Sequence, residues 1–483
     1  MNKFFLLAVL FLFAFQFLPA NQAASAPERP ERSIEEQQRD ILRFGTETEI
    51  AALIQTLRRE NADYLNEDLI QIAQGTRNRS ILTGVLGFFS DTRTSGLEDR
   101  AIRAIRERDQ ESNDTVMAAI NYLGHVQAYF AADILIDLIN TGENRFLNTA
   151  IRALGRVGGA DIEAKAEIDT EIDTEYLKLR DRVALFLLDY FENQSPSDEN
   201  RREIIVALGA TGSSEGVPFL VELASNNDER QVLRIAALEA IAAIGDDKGL
   251  DAVVVAISST EPLVRASAVA ALGPFSGGAV DEVIMDAFRD SFYRTRIGAA
   301  QAAGQRRLES AIPFLRFRAE NDESPLVRDA AIQALGAINN EESMLFLESL
   351  FVERRNSDRI RINAADMLLR NDADSFGQKV FTEMQDARRR NQMPLYNGFV
   401  RILTTARSPV FEDIALHFIA EGGVIERSLA LDLVLNNEFR GLANEVRSLM
   451  DERRYGPSIA RKARSTLERL GLEVEVEDLT NSE

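Results

Sequence analysis

Small and aliphatic residues recur along this chain in blocks that fit one face of a helix, and a glycine closes each block. Leu86-Gly87, Leu123-Gly124, Leu154-Gly155, Leu208-Gly209, Ile244-Gly245, Leu272-Gly273, Ala303-Gly304, Leu335-Gly336 and Leu470-Gly471 mark the ends. From Gly209 onward the neighbouring glycines stand 36, 28, 31 and 32 residues apart, and Gly124 to Gly155 spans 31. A near-constant period is the signature of a repeat array. Alanine stands five positions before the glycine at Ala119, Ala150, Ala240, Ala268, Ala299 and Ala331. Arginine stands eight before it at Arg79, Arg201, Arg265, Arg296 and Arg328, and the same spacing links Arg361 to Leu369 and Arg427 to Leu435.

The pattern predicts a helix whose Leu and Ile form a buried stripe. Its Ala residues admit a close neighbour, and its glycine is expected to end it in a left-handed cap. A preceding helix is predicted from runs such as Val217-Pro218-Phe219-Leu220-Val221-Glu222-Leu223 and Ile312-Pro313-Phe314-Leu315. The unit is thus a helix hairpin of about 30 residues, which must stack on its neighbours to bury both sides. Residues 35 to 64 read as helical but off-pattern, as a capping unit does, and the unit near Asn397 to Thr405 is degenerate.

Two stretches carry a resemblance. Pro262-Leu263-Val264-Arg265-Ala266-Ser267-Ala268-Val269-Ala270-Ala271-Leu272-Gly273 is similar to the second helix of the short HEAT-like repeats first associated with phycobilisome lyases, and so is Pro325 to Gly336. The resemblance covers roughly residues 65 to 471 and is strongest from 201 to 340. It implies an all-α, right-handed α-α superhelix over residues 35–471, with about a dozen hairpins at typical repeat lengths and the second helices on the concave side. It also implies that the repeated Arg bonds to acidic or carbonyl oxygens of the adjacent unit, a structural ladder rather than a basic stripe for an anionic ligand.

The N-terminus reads as an address. Lys3 precedes an apolar run from Phe4 to Leu18, and Ala24-Ser25-Ala26 has the form of a cleavage site. The run falls short of the roughly 20 residues that span a bilayer. Residues 1–26 are therefore expected to be a cleaved secretory signal, 27–34 an unstructured lead-in, and the mature chain an exported, periplasmic protein with no stable membrane span. Residues 472–483 form an acidic tail. Gly155 to Gly209 spans 54 residues, about 20 more than one unit. The surplus is an acidic insertion near 160–175 containing Glu167-Ile168-Asp169-Thr170-Glu171-Ile172-Asp173-Thr174-Glu175, expected to be solvated, with a partner contact or a loose cation site as the sharper readings, though it lacks the Gly and oxygen spacing of a calcium loop.

Composition narrows the chemistry. Asp and Glu total 77 against 55 Lys and Arg, a net charge of −22, the wrong sign for tracking a phosphate backbone. The pairs and triplets Arg58-Arg59, Arg354-Arg355, Arg388-Arg389-Arg390 and Arg453-Arg454 are expected at the ends of first helices, where cations complement the helix dipole. Without cysteine, disulfides, thiolate metal sites, a cysteine nucleophile and a lipid-bearing N-terminal cysteine are excluded. His125 and His417 are the two histidines, and His125 is expected at a helix end where a cation is favourable. Some HEAT-like hydroxylases hold iron on His-Glu pairs, and this chain has no His-Glu dipeptide. Neither Gly-x-Ser-x-Gly nor a Gly-Lys-Ser/Thr phosphate loop is present. Gly277-Gly278 reads as a turn between helices.

These readings converge on a noncatalytic periplasmic scaffold or adaptor that grips another protein along its solenoid surface. No catalytic, metal or cofactor residue, no cofactor and no nucleic-acid partner is expected, and no binding residue is assignable. Two alternatives stand beside it. One is a structural subunit of an envelope or motility assembly. The other is a chromophore-lyase-like enzyme, which the resemblance raises and the export signal opposes.

Overall fold

The computed structural model describes residues 34–60, 62–161, 178–194, 196–472 and 474. The expected signal, the lead-in up to residue 33, the insertion from 162 and most of the acidic tail lie outside the described residues. Among the described residues every regular element is helical, from Ile34–Phe44 to Pro457–Arg469. Consecutive helices pair into hairpins, the expected all-α solenoid.

Local chemistry sets the helix starts. Pro occupies the first turn of Val217–Ser225, Pro262–Ala270, Ile312–Asn321, Pro325–Ile338 and Pro457–Arg469, where its missing N–H would have no intrahelical partner. Side chains cap others: Asn78 accepts from the Ile81 N–H at 3.0 Å and Ser112 from that of Thr115 at 3.1 Å. The continuous run Asp358–Arg389 is two helices joined at Asp372, whose φ of −154° and ψ of 76° break it. Its front part is the second helix of one hairpin and its rear part the first helix of the next. The segment that reads as degenerate forms the helix Met393–Leu403, again a second helix.

From Glu47–Glu60 to the front of Asp358–Arg389, each second helix packs on the next, while first helices touch one another more sparsely. That difference places the second helices on the inside of the curve. The array then closes on itself: the first helix, Ile34–Phe44, meets the last, Pro457–Arg469.

The recurring glycine does a different job from the expected one. Gly124, Gly155, Gly209, Gly304 and Gly336 lie inside their helices rather than in left-handed caps. Each is a notch for the next second helix. A Cβ on Gly124 would stand 2.9 Å from the Cα of Ala153, one on Gly155 2.7 Å from that of Ala207, and one on Gly209 2.8 Å from that of Ala240. Real side chains do not reach such distances, so the backbones approach only because Gly faces Ala. The left-handed residue comes three positions later, at Gln127, Gly212, Arg307 and Asn339, with φ of 50°, 66°, 51° and 51°. Gly245 and Gly471, at φ 70° and 68°, are such caps, as expected. The notch position of the helix before Gly245 is Ala242, eight after Arg234.

At Arg201, Arg265, Arg296 and Arg361, and at Arg234, the ladder arginine is built as the resemblance implies, whereas Arg427 donates to the Ile419 carbonyl of its own hairpin at 3.3 Å. Arg201 reaches Glu229 at 2.6 Å, Arg234 Glu261 at 2.8 Å, Arg265 Asp290 at 2.6 Å, and Arg361 Glu383 at 2.7 Å. Arg296 makes a two-pronged contact with Asp322, 2.8 Å on each prong. The acids at 229, 261, 290 and 322 stand just before the next second helix. The same guanidinium groups also hold their own hairpin turn: Arg265 donates to the Ser259 carbonyl at 2.8 Å, and Arg296 to those of Asp290 and Ser291 at 3.0 and 3.2 Å. One side chain thus locks two successive hairpins.

Burial alone would raise the carboxyls of Asp322, Asp290 and Glu229. The hydrogen bonds from Arg296, Arg265 and Arg201, together with backbone N–H donors, outweigh it and hold all three below the ordinary carboxylate range. A depressed native pKa contributes stability that is present above the unfolded value of about 4 and lost as pH falls through the folded value. The thermal midpoint is therefore expected to stay flat from about pH 6 to 8 and to fall steeply below about pH 4. Helical circular dichroism followed against pH checks this. An acid limb no steeper in the parent than in Arg296→Ala would mean the ladder does not carry it.

Candidate inner-face docking surface

Along most of the inner face, polar side chains link one second helix to the next. Arg58 pairs with Asp91, and the hydroxyls of Thr83 and Thr115 lie 3.0 Å apart. Asn148 donates to Glu199 and Arg152 to Glu203, each at 3.1 Å, which keeps Asn144–Gly158 and Asp198–Thr211 in register across the insertion. Farther along, Arg359 and Asn363 both bond to Asp329, and Lys462 pairs with Asp432 at 2.7 Å.

The middle of the array departs from this. Pro262–Ala270 stops after 9 residues, between Gln231–Ile244 with 14 and Tyr293–Gln305 with 13. The stripe it turns inward is Leu263, Ala266, Ser267 and Ala270. Short side chains on a shortened helix leave a groove of about 390 Å³, walled by Ile235, Ala242 and Ala271 and edged by Glu239 and Arg294. Val232, 48% exposed, lies one turn before Ile235 on the same helix. The Ser267 hydroxyl is buried without a hydrogen-bond partner. Gly298 seats the third helix tightly, since a Cβ there would stand 2.9 Å from the Ala266 carbonyl oxygen. The groove floor is therefore rigid, apolar and close to backbone, and an incoming apolar side chain would displace water without breaking a protein hydrogen bond.

Other candidate groups are committed to structure. His125 sits at the end of Asn113–His125, with Nδ1 2.8 Å from both the Asn121 carbonyl and Ser90 Oγ and Nε2 3.1 Å from Arg156. The Nδ1–H tautomer satisfies this arrangement, since only it donates to the carbonyl while Nε2 accepts from the guanidinium. Arg156 supplies the cation at this helix end. Nδ1 is turned to the Asn121 carbonyl rather than to a carboxylate, so the Ser90–His125 pair is not oriented as in a hydrolytic triad. His417 is packed edge-on against Phe381, with Nε2 3.4 Å from Gln385.

The arginine triplet is also paired. Arg389 and Arg390 contact Asp386 at 3.3 and 3.0 Å, as does Arg354 at 3.1 Å, and Arg388 pairs with buried Glu426. Tyr396 donates to Glu426 at 2.6 Å and joins Met393–Leu403 to Val424–Asn436. Burial, reinforced by that carboxylate, pushes the Tyr396 phenol up. Burial would likewise raise Glu426, but Tyr396, the Gly423 N–H and Arg388 together bring it below its usual value. Arg58-Arg59 closes Glu47–Glu60, which is a second helix rather than the expected first. Among the described residues no group of three or more His, Asp or Glu side chains is placed to hold a metal ion. No helix among them is long and apolar enough to cross a membrane.

The sequence signal for the groove was present in Pro262 to Gly273, where Ala266 and Ala270 stand at positions that are Ile235 and Glu239 in the unit before and Ile297 and Gln301 in the unit after. The repeat motif accounts for those same residues as helix-packing positions, which hides their exposed face.

Stacked helix hairpins, a ladder arginine recurring from Arg201 to Arg361 and an inward row of second helices define an α-solenoid repeat protein. The chain matches the family described as Spirochaete HEAT repeat protein over residues 42–466 and belongs to that family. None of the curated proteins matches its sequence. Among solved structures it is similar to the karyopherin Kap121p, at 11% identity and a TM-score of 0.39, covering 90% of this chain and 53% of that one. Kap121p bound to the SUMO protease Ulp1p gives 12% identity and a TM-score of 0.39, covering 90% and 52%. The chain thus spans about half the length of these structures.

Proposed function

We propose that this protein is an exported, noncatalytic scaffold that holds a partner protein against the inner face of its solenoid, in the groove between Gln231–Ile244 and Tyr293–Gln305. The observation that carries the reading is the interruption of the inner polar contacts by a preformed apolar groove whose floor is small side chains and backbone. Extended concave solenoid surfaces suit large protein contacts, and rigid apolar pockets are where interface anchors are seated. The signal-like N-terminus supports a periplasmic setting. The acidic surface opposes nucleic acid as the ligand.

Filling the groove tests it. Ala270→Trp and Leu263→Asp change partly exposed side chains that face the groove, and their thermal midpoints are expected to stay near the parent's. Each is expected to weaken the partner complex recovered from the native envelope fraction by tenfold or more, the loss of about 1.4 kcal/mol or greater. Undiminished recovery with both variants would place the contact elsewhere.

A further inference from the structure

We propose that the end-to-end contact between Ile34–Phe44 and Pro457–Arg469 is a breakable joint, through which the closed array opens. The two helices meet, yet they do not seal. A cavity of about 370 Å³ lies between the ends, with Glu35, Asp63 and Tyr64 on one side and Glu438, Arg440 and Glu468 on the other. Of the described side chains in Ile34–Phe44, only Leu42 is buried. Asn144–Gly158, in the middle of the array, buries Phe146, Leu147, Ile151, Leu154 and Val157. No Gly-to-Ala notch joins the two ends. The groups lining this joint are mostly charged or polar, and they face water when it opens.

The geometry also says which side the leaf belongs to. Arg39 pairs with Asp68 at 3.1 Å and with Glu35 at 2.7 Å, and Tyr64 donates to Gln38 at 2.7 Å. Ile34–Phe44 is therefore fastened to its own N-terminal neighbours and moves with them. Between other neighbouring hairpins the chain itself crosses the joint, whereas Ile34–Phe44 and Pro457–Arg469 meet only through noncovalent contact. Opening thus concentrates at the ends, and a partner too large to thread a closed ring gains access to the inner face there.

The chain has no cysteine, so introduced thiols are unique. The full chain carrying Glu35→Cys and Ser465→Cys is treated with a short bismaleimide, and linked and unlinked protein are compared by small-angle X-ray scattering in low and high salt. The expected result is an efficient intramolecular link, with a larger radius of gyration and a tail of long vectors in the unlinked chain that linkage removes. The single-cysteine chains, melting as the parent does, show that the fold is intact. Failure to link, or linkage only between two molecules, would show that the ends do not meet. Superimposable scattering from linked and unlinked chains would show a joint that stays shut. Either result overturns the proposal, and neither bears on whether the inner groove binds a protein.

Discussion

Arg296→Ala is expected to lower the stability of the array by about 3 kcal/mol, the lower end of the cost of breaking a buried ion pair, because Arg318, 3.3 Å from Asp322, still offsets part of the buried charge. The Asp322 side chain is fully buried and that of Arg296 is 6% exposed, so neither charge is left to water when its partner goes. The variant also removes the donors to the Asp290 and Ser291 carbonyls, which loosens the turn that starts Tyr293–Gln305. The paired replacement Arg296→Met with Asp322→Leu is expected to recover most of the loss, because an apolar pair of similar volume removes both the attraction and the desolvation cost. Truncating the exposed pair Arg289–Asp286, 64% and 81% accessible, is expected to change stability by less than about 1 kcal/mol. Urea titrations of the four proteins check the order. A loss at Arg296→Ala no larger than at Arg289→Ala would mean that the ladder does not couple the hairpins.

Gly155→Val comes next, with an expected cost of about 3 kcal/mol, the upper end of the range for overpacking. The obstruction is main chain, since a Cβ at Gly155 stands 2.7 Å from the Cα, Cβ and carbonyl oxygen of Ala207. No rotamer change relieves that contact. Asn144–Gly158 and Asp198–Thr211 must separate, and their links Asn148 to Glu199 and Arg152 to Glu203 stretch with them. In a chain of nearest-neighbour interfaces such damage stays local, so unfolding is expected to split into two transitions at this joint. Gly75 is the control. Nothing lies within 4 Å of a Cβ there, and Gly75→Ala is expected to be neutral or to stabilise by up to about 1 kcal/mol through reduced unfolded-state entropy. Equal effects at the two glycines would contradict the notch assignment.

The repeat unit was legible because its period and its Arg and Ala positions are imposed by one interface made many times over. The glycine's role was not. A glycine that ends an apolar stripe has the same sequence appearance whether it caps a helix or admits a neighbour. Only the distance to Ala153, Ala207 or Ala240 separates the two. Arg234 escaped the eight-residue rule for the same reason, since in its helix Ala242 takes the notch and Gly245 the cap. The meeting of Ile34–Phe44 with Pro457–Arg469 has no local signal at all, because closure is the sum of small rotations between hairpins. The groove shows the same limit: Ala266, Ser267 and Ala270 announce a close helix contact, and it takes the early end of Pro262–Ala270 to turn them into an open surface.

The partner contact is tested most directly by a photo-crosslinking side chain placed at Ala266, on the groove floor, and separately at Val255, 67% exposed on a first helix. In intact cells, irradiation at position 266 is expected to capture one protein in near-stoichiometric yield, while position 255 captures none. Capture of the same protein at both positions, or at 255 alone, would contradict binding through the inner face.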